Sequence, residues 1–137
     1  MAYKNIVRMH DSTMSLTAQA LPNATDSDYS AIYFGHSTSG RLMIQVVANT
    51  AISIADTKAL TLVALFGATS SPTDQLDGAV MMSVTASGSA KTWAAGDTIA
   101  EMVIPPDLPD TYKYVKIKAT TTANESSEKI DIYVVTL

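Results

Sequence analysis

Apolar and polar residues alternate along this chain in short blocks, rich in β-branched and aromatic side chains and separated by clusters of Gly, Pro, Asp and Ser. A period near two over such short runs puts successive side chains on opposite faces, as strands do and helices do not. The pattern predicts eight strands: "TMSLTAQAL" (13–21), "YSAIYF" (29–34), "RLMIQVVA" (41–48), "ALTLVALFG" (59–67), "AVMMSVTA" (79–86), "TIAEMVIP" (98–105), "YKYVKIKATT" (112–121) and "KIDIYVVTL" (129–137). The seventh sets Val115, Ile117 and Ala119 against Lys116, Lys118 and Thr120, so one of its faces meets water. In the last, Ile130, Ile132 and Val134 oppose Asp131, Tyr133 and Val135, and the second face turns apolar toward its end, which implies a cover there. Val115, Ile117, Ile130 and Ile132 are therefore expected in one core. "LTLVALF" (60–66) is apolar on both faces apart from Thr61, which predicts a strand buried on both sides or facing a partner. A helix is the rival reading of that run. Its β-branched and threonine content, and the Gly67 to Pro72 breaker after it, favour the strand.

These elements predict an all-β chain, a two-sheet antiparallel sandwich of about eight strands. Residues 11–137 form the single domain and residues 1–10 an N-terminal arm. Pro, Asn, Asp and Gly mark "LPNATDSD" (21–28) and "FGATSSPTDQLDG" (66–78) as loops. In "VIPPDLPD" (103–110), three prolines within five residues exclude ladder bonds and predict a stiff extended crossing between strands. Such a segment loses little entropy on binding, so it is also a candidate contact. The arm "MAYKNIVRM" holds Tyr3, Ile6, Val7 and Met9 with only Lys4 and Arg8 as charges, too apolar for a solvated tail. It is expected to pack on a neighbour, with Pro105, Pro106 and Leu108 as a second interface.

A chain of 137 residues that is 47% hydrophobic suits one domain with one core. A net charge of -4 with scattered basic residues argues against nucleic acid, which clustered Lys and Arg would bind through counterion release. No apolar run approaches the roughly 20 residues of a membrane span, and the start lacks the apolar stretch of a signal peptide. A soluble, non-exported protein is expected, and the glycosylation patterns "NAT" (23–25) and "NES" (124–126) then carry no meaning. Without cysteine there is neither a disulfide framework nor a thiolate metal site. Charged residues make up only 16% of the chain, below the rough quarter usual for soluble domains. A surface of Thr, Ser and Ala loses little solvation and side-chain entropy when covered, which leans toward an assembled protein.

Candidate chemistry is sparse. "GHSTSG" (35–40) resembles a nucleophile loop, but that elbow needs glycine two residues either side of the serine, and around Ser37 those places hold Gly35 and Ser39. His36 beside it in sequence is no general base for it, and a turn between strands is expected. His10, next to Asp11, lacks further ligands. The loop acids Asp26, Asp28, Asp74 and Asp77 match neither a calcium loop nor a zinc pair, so no metal or other cofactor is expected. "SGSAKT" (87–92) lacks a Walker glycine before its lysine and reads as a loop. Trp93 is expected to anchor the core's edge, with Gly96 and Asp97 forming the turn behind it; sugar stacking is the functional alternative.

The order of "MHDSTMSLTAQALPNATD", "GRLMIQVVANTAISIADTKALTLVALFGATSS", "WAAGDTIAEMVIP", "YKYVKIKATTTA" and "KIDIYVVTL" resembles the cement, or decoration, proteins of tailed-phage heads, in particular the Bordetella-phage type. The resemblance covers most of the chain from about His10 onward. That family often has arginine where Lys113 and Lys116 stand here, and a bulkier residue near Ala119. The resemblance implies a jelly-roll domain on the outer capsid surface, where it locks neighbouring major capsid protein subunits together. It also implies a homo-oligomer, a dimer favoured over a trimer, and a virion assembled in the host cytoplasm.

Two other classes compete with that expectation. A carbohydrate-binding or receptor-binding module would stack sugars on Trp93, Tyr29 or Tyr33, and needs an exposed coplanar aromatic pair. A hydrolase built on Ser37 and His36 is the third. No catalytic residue is expected.

Overall fold

The computed structural model describes residues 15–35, 42–76, 79–105, 107–123 and 125–136. They form an all-β antiparallel structure with no helix among them. Eleven strands appear where eight are expected: β1 (Ser15–Ala20), β2 (Asp26–Asp28), β3 (Ile32–Tyr33), β4 (Leu42–Ala48), β5 (Ile52–Ile54), β6 (Ala59–Gly67), β7 (Val80–Thr85), β8 (Lys91–Trp93), β9 (Thr98–Val103), β10 (Tyr114–Thr121) and β11 (Lys129–Thr136). The first sheet runs β1-β11-β4-β9 and the second β2-β10-β6-β7, with β3 also on β10; β5 and β8 form a separate ribbon.

The three additional strands lie in segments that read as loops or carry no clear signal. β2 falls in "LPNATDSD", where the expectation was a loop, because β10 recruits it. Asp26 and Asp28 face Thr120 and Lys118 across the ladder, and the side chains pair as Asp26 with Lys118 and Asp28 with Lys116, each at 3.2 Å. β8 takes up the end of "SGSAKT" and pairs with β5 from Ile52↔Trp93 to Ile54↔Lys91. The strand expected over 29–34 contracts to Ile32–Tyr33.

One hydrophobic cluster joins the two larger sheets. Ile44, Val46, Ile130, Ile132 and Val134 enter it from the first sheet, and Leu60, Leu62, Phe66, Val115 and Ile117 from the second. Val115, Ile117, Ile130 and Ile132 thus share a core, as the alternation requires. Phe34 meets Phe66 edge-on there, ring centroids 6.3 Å apart.

β6 has the expected boundaries, and of the two readings of its apolar second face, burial on both sides is not met within the chain. Leu60, Leu62, Ala64 and Phe66 are buried, while Thr61, Val63 and Leu65 are half-buried. Across the ladder, Lys116 lies opposite Leu65 and Lys118 opposite Val63. Long lysine stems shield apolar surface while their ammonium groups stay in water, so this second face is only partly covered. The strand buried on both faces is β4. Ile44, Val46 and Ala48 enter the cluster, and Met43, Gln45 and Val47 on the other face are buried as well. Val135 of β11, opposite Met43, is fully buried, in keeping with the covered end that its sequence implies.

Candidate functional site

The proline crossing after β9 is anchored to its own domain at Ile104 and Leu108. The Ile104 N–H donates to the Leu42 carbonyl (2.9 Å), and the Tyr112 N–H to the Pro109 carbonyl (2.9 Å). Leu108 is buried in the hydrophobic cluster, so its side chain serves the chain's own core. Pro105 is half-buried and lines, with Leu76, Asp107, Leu108 and Pro109, a cavity of about 210 Å³. Beside the crossing, the Tyr112 hydroxyl donates to Asp74 Oδ2 (2.7 Å), and Asp74 exchanges backbone hydrogen bonds with Phe66 at 2.9 and 3.0 Å. The Asp74 carboxylate raises the Tyr112 phenol above its ordinary range. Gly67 belongs to the same junction: a Cβ there would stand 2.8 Å from Pro72 Cα, too close for any side chain. The contact candidates Tyr3, Ile6, Val7, Met9 and Pro106 lie outside the described residues, as do His10, His36, Ser37 and Ser39.

Among the described residues, the candidate stacking rings Tyr29, Tyr33 and Trp93 are placed apart in burial and contact. Tyr29 is buried and its hydroxyl donates to the Ala20 carbonyl (2.8 Å), with burial pushing the phenol up to about 12. Tyr33, 48% exposed, meets Tyr114 edge-on with ring centroids 5.2 Å apart and 63° between planes. Trp93 is half-buried against the cluster, its ring 5.5 Å from the Lys91 ammonium. Behind it the expected turn forms: Asp97 Oδ2 accepts from the Ala94 N–H (2.9 Å), the Asp97 N–H donates to the Ala94 carbonyl (3.0 Å), and Gly96 has a φ of 92°.

No family model matches the chain, and neither a curated protein nor a solved structure matches it.

Two carboxylates escaped the sequence reading. Glu125 and Glu128 close the turn between β10 and β11, where the Glu128 N–H donates to the Glu125 carbonyl (2.9 Å). Glu125 is only 6% exposed. Glu128 Oε1 accepts from the Ser53 N–H (3.0 Å), and its Oε2 is buried. Burial first, and then the neighbouring Glu128, push the Glu125 carboxyl up to about 7. By contrast Asp26, held by the Thr120 hydroxyl and Lys118, sits below the ordinary carboxylate range. "ESSEK" reads as a solvated turn; long-range contacts fold it down, among them the Ser53 N–H on Glu128, the Leu21 N–H donating to the Glu128 carbonyl (2.9 Å), and the Asn23 side chain, which accepts from the Ser126 N–H (2.9 Å).

Among the described residues no group of three or more His, Cys, Asp or Glu could hold a metal ion, and no helix is long and apolar enough to cross a membrane. The described surface is mixed in character. It combines lysine–aspartate pairs on β10 and β2, a tyrosine pair at their end, and hydroxyl-rich or apolar positions over β6 and β7.

Proposed function

We propose that the chain is a phage virion structural protein that binds the outer surface of an icosahedral head and cements neighbouring major capsid subunits. It works as a homo-oligomer, a dimer in preference to a trimer, and stabilises the expanded shell. The strand order carries this reading beside the sequence resemblance. With β2 and β3 taken as one interrupted strand, and the β5–β8 ribbon set aside, the remaining eight run first-eighth-third-sixth in one sheet and second-seventh-fourth-fifth in the other. That order, over a cluster common to both sheets, supports a jelly-roll sandwich, an architecture used by viral capsid and lectin domains.

Because a fold hosts many functions, the surface has to separate cement from lectin. The sugar reading needs coplanar exposed rings, whereas Tyr29 is buried and Tyr33 meets its neighbour edge-on. Cementing demands less: each contact can be weak, because many sites act on one particle and a dimer engages two at once. Preference for the expanded shell requires only tighter binding to that state.

The apolar arm is the first contact in this reading and the proline crossing the second. Co-sedimentation with isolated heads of the parent phage tests it. The full chain is expected to pellet with heads, and a chain lacking residues 1–9 to pellet at least about tenfold less well while keeping its fold. No co-sedimentation of the full chain overturns the function. Unchanged binding of the truncated chain removes the arm from the interface.

A further inference from the structure

β4 is buried on both faces, yet only one of them meets the shared core. Ile44, Val46 and Ala48 enter the cluster, so by alternation Met43, Gln45 and Val47 turn the other way. On this outer face Val135 stands beside Met43, and Tyr133 beside Gln45. Met43, Gln45 and Val47 are buried and Val135 is 0% exposed, although Met43, Val47 and Val135 lie outside the cluster. The outer face of a sheet is hidden in this way only where chain lies over it. Gln45 also requires a partner from that cover. Its amide nitrogen is 3.5 Å from Glu101 Oε2, but among the described residues no donor reaches its buried Oε1, and buried carbonyl oxygens nearly always accept a bond.

The described connections around this sheet bond at its ends: the Ile104 N–H to the Leu42 carbonyl, the Gly96 N–H to the Ala48 carbonyl (2.7 Å), and the Asn49 N–H to the Lys129 carbonyl (3.0 Å). The burial is also lopsided. On β9, Glu101 and Val103 are exposed, so the cover leaves that edge bare and lies toward β11 and β1. β1 starts on the covered side: Ser15 stands opposite Tyr133, in the row of Gln45 and next to the row of Val135 and Met43. The chain ahead of Ser15 therefore arrives where the cover is needed. Outside the described residues the longer segments are 1–14 and 36–41. "HSTSGR" (36–41) has no apolar side chain, whereas the first fourteen residues include Tyr3, Ile6, Val7, Met9 and Met14. At roughly 3.3 Å per residue they reach up to about 45 Å, and four strands spaced by roughly 4.8 Å are only about 15 Å across.

We propose that residues 1–14 of the same chain lie across the outer face of the β1-β11-β4-β9 sheet, over Met43, Gln45, Val47 and Val135, and bring a donor to Gln45 Oε1. The apolar residues of the segment then have a seat within their own chain, and its backbone N–H groups, Lys4, Asn5 and Arg8 are the donors at hand. In the reading above the arm meets the shell; seated here, it does so with the side turned away from the sheet. The seat is a property of the free chain and is tested without heads, so its failure and the failure of shell binding are separate results.

Methionine oxidation reads the cover directly, because a thioether hidden from solvent reacts slowly with hydrogen peroxide. The full chain is compared with a full-length variant combining Tyr3→Ser, Ile6→Ser, Val7→Ser and Met9→Ser, with sulfoxide measured peptide by peptide by mass spectrometry. Met43 is expected to oxidise at least about tenfold faster in the variant, while Met81 and Met82, half-buried on β7 of the other sheet, keep their wild-type rates. A natively folded variant in which Met43 stays as protected as in the wild type overturns the proposal. Should the variant unfold, which a rise at all three methionines would show, a second measurement on the otherwise unaltered chain decides. With p-benzoylphenylalanine in place of Tyr3 and irradiation at about 1 μM, cross-links are expected to β4 or β11 of the same chain. Their absence, or cross-links found only between chains or only to other strands, overturns the proposal.

Discussion

Replacing Ile117 by Ala is expected to cost about 2–5 kcal/mol of stability, the range for truncating a buried isoleucine. Its side chain is 2% exposed and belongs to the cluster shared by both sheets. The spread within that range reflects how far a site can collapse, and this one has little freedom. β10 is held by β6 on one side, with Ile117 opposite Ala64, and by β2 and β3 on the other. The Ile117 carbonyl also accepts from the Tyr29 N–H (3.1 Å). A domain of this kind has only about 5–15 kcal/mol in total, so the variant should unfold at much lower urea. Lys118→Ala, which removes an exposed ion pair with Asp26, should cost no more than about 1 kcal/mol. Urea titration of both measures the contrast, and a loss below about 0.5 kcal/mol for Ile117→Ala would mean that the β10 register is wrong.

The second large effect concerns the Glu125–Glu128 turn. Glu125 holds its proton up to about 7 in the folded chain, whereas an unfolded carboxyl releases it near the ordinary value of 4.5. Between those values the native state binds more protons than the unfolded state, so stability falls as pH rises from about 4.5 to about 7, then levels off. Glu125→Gln cannot ionise and should remove most of that slope, raising stability at pH above about 7 by on the order of 1–3 kcal/mol. Asp26 acts oppositely and at lower pH: its depressed pKa favours the native state above the ordinary carboxylate range, a contribution lost only in stronger acid. Thermal unfolding across pH 5 to 8, wild type against Glu125→Gln, measures the window. Parallel curves for the two proteins would show that the turn does not hold this proton.

Both effects bear on what was legible in the sequence. β10 and β11 alternate so regularly that their core face could be named residue by residue, and β6 could be bounded by the breaker after Gly67. Local pattern suffices where one face is dry and the other wet. It fails where a partner strand makes the element: Asp26–Asp28 has little strand propensity and pairs because the lysines of β10 meet its carboxylates. It also fails where burial comes from distant segments. In "RLMIQVVA", Arg41 and Gln45 mark one face as the polar one, yet Met43, Gln45 and Val47 on that face are buried too. Leu108 reads as an exposed anchor in a proline run, and Tyr29 as a stacking ring; both are drawn into the core by the packing of other strands. Glu125, polar in a polar turn, gives no local sign of its burial.

The central claim, a clamp for the expanded shell, rests on a difference in affinity between two states of one lattice. It is tested most directly by titrating the purified chain onto unexpanded and expanded heads of the parent phage and counting bound copies against free concentration. The account predicts saturable binding to expanded heads that is at least about tenfold tighter than to unexpanded ones. Equal affinity for the two, or binding to neither, would contradict it.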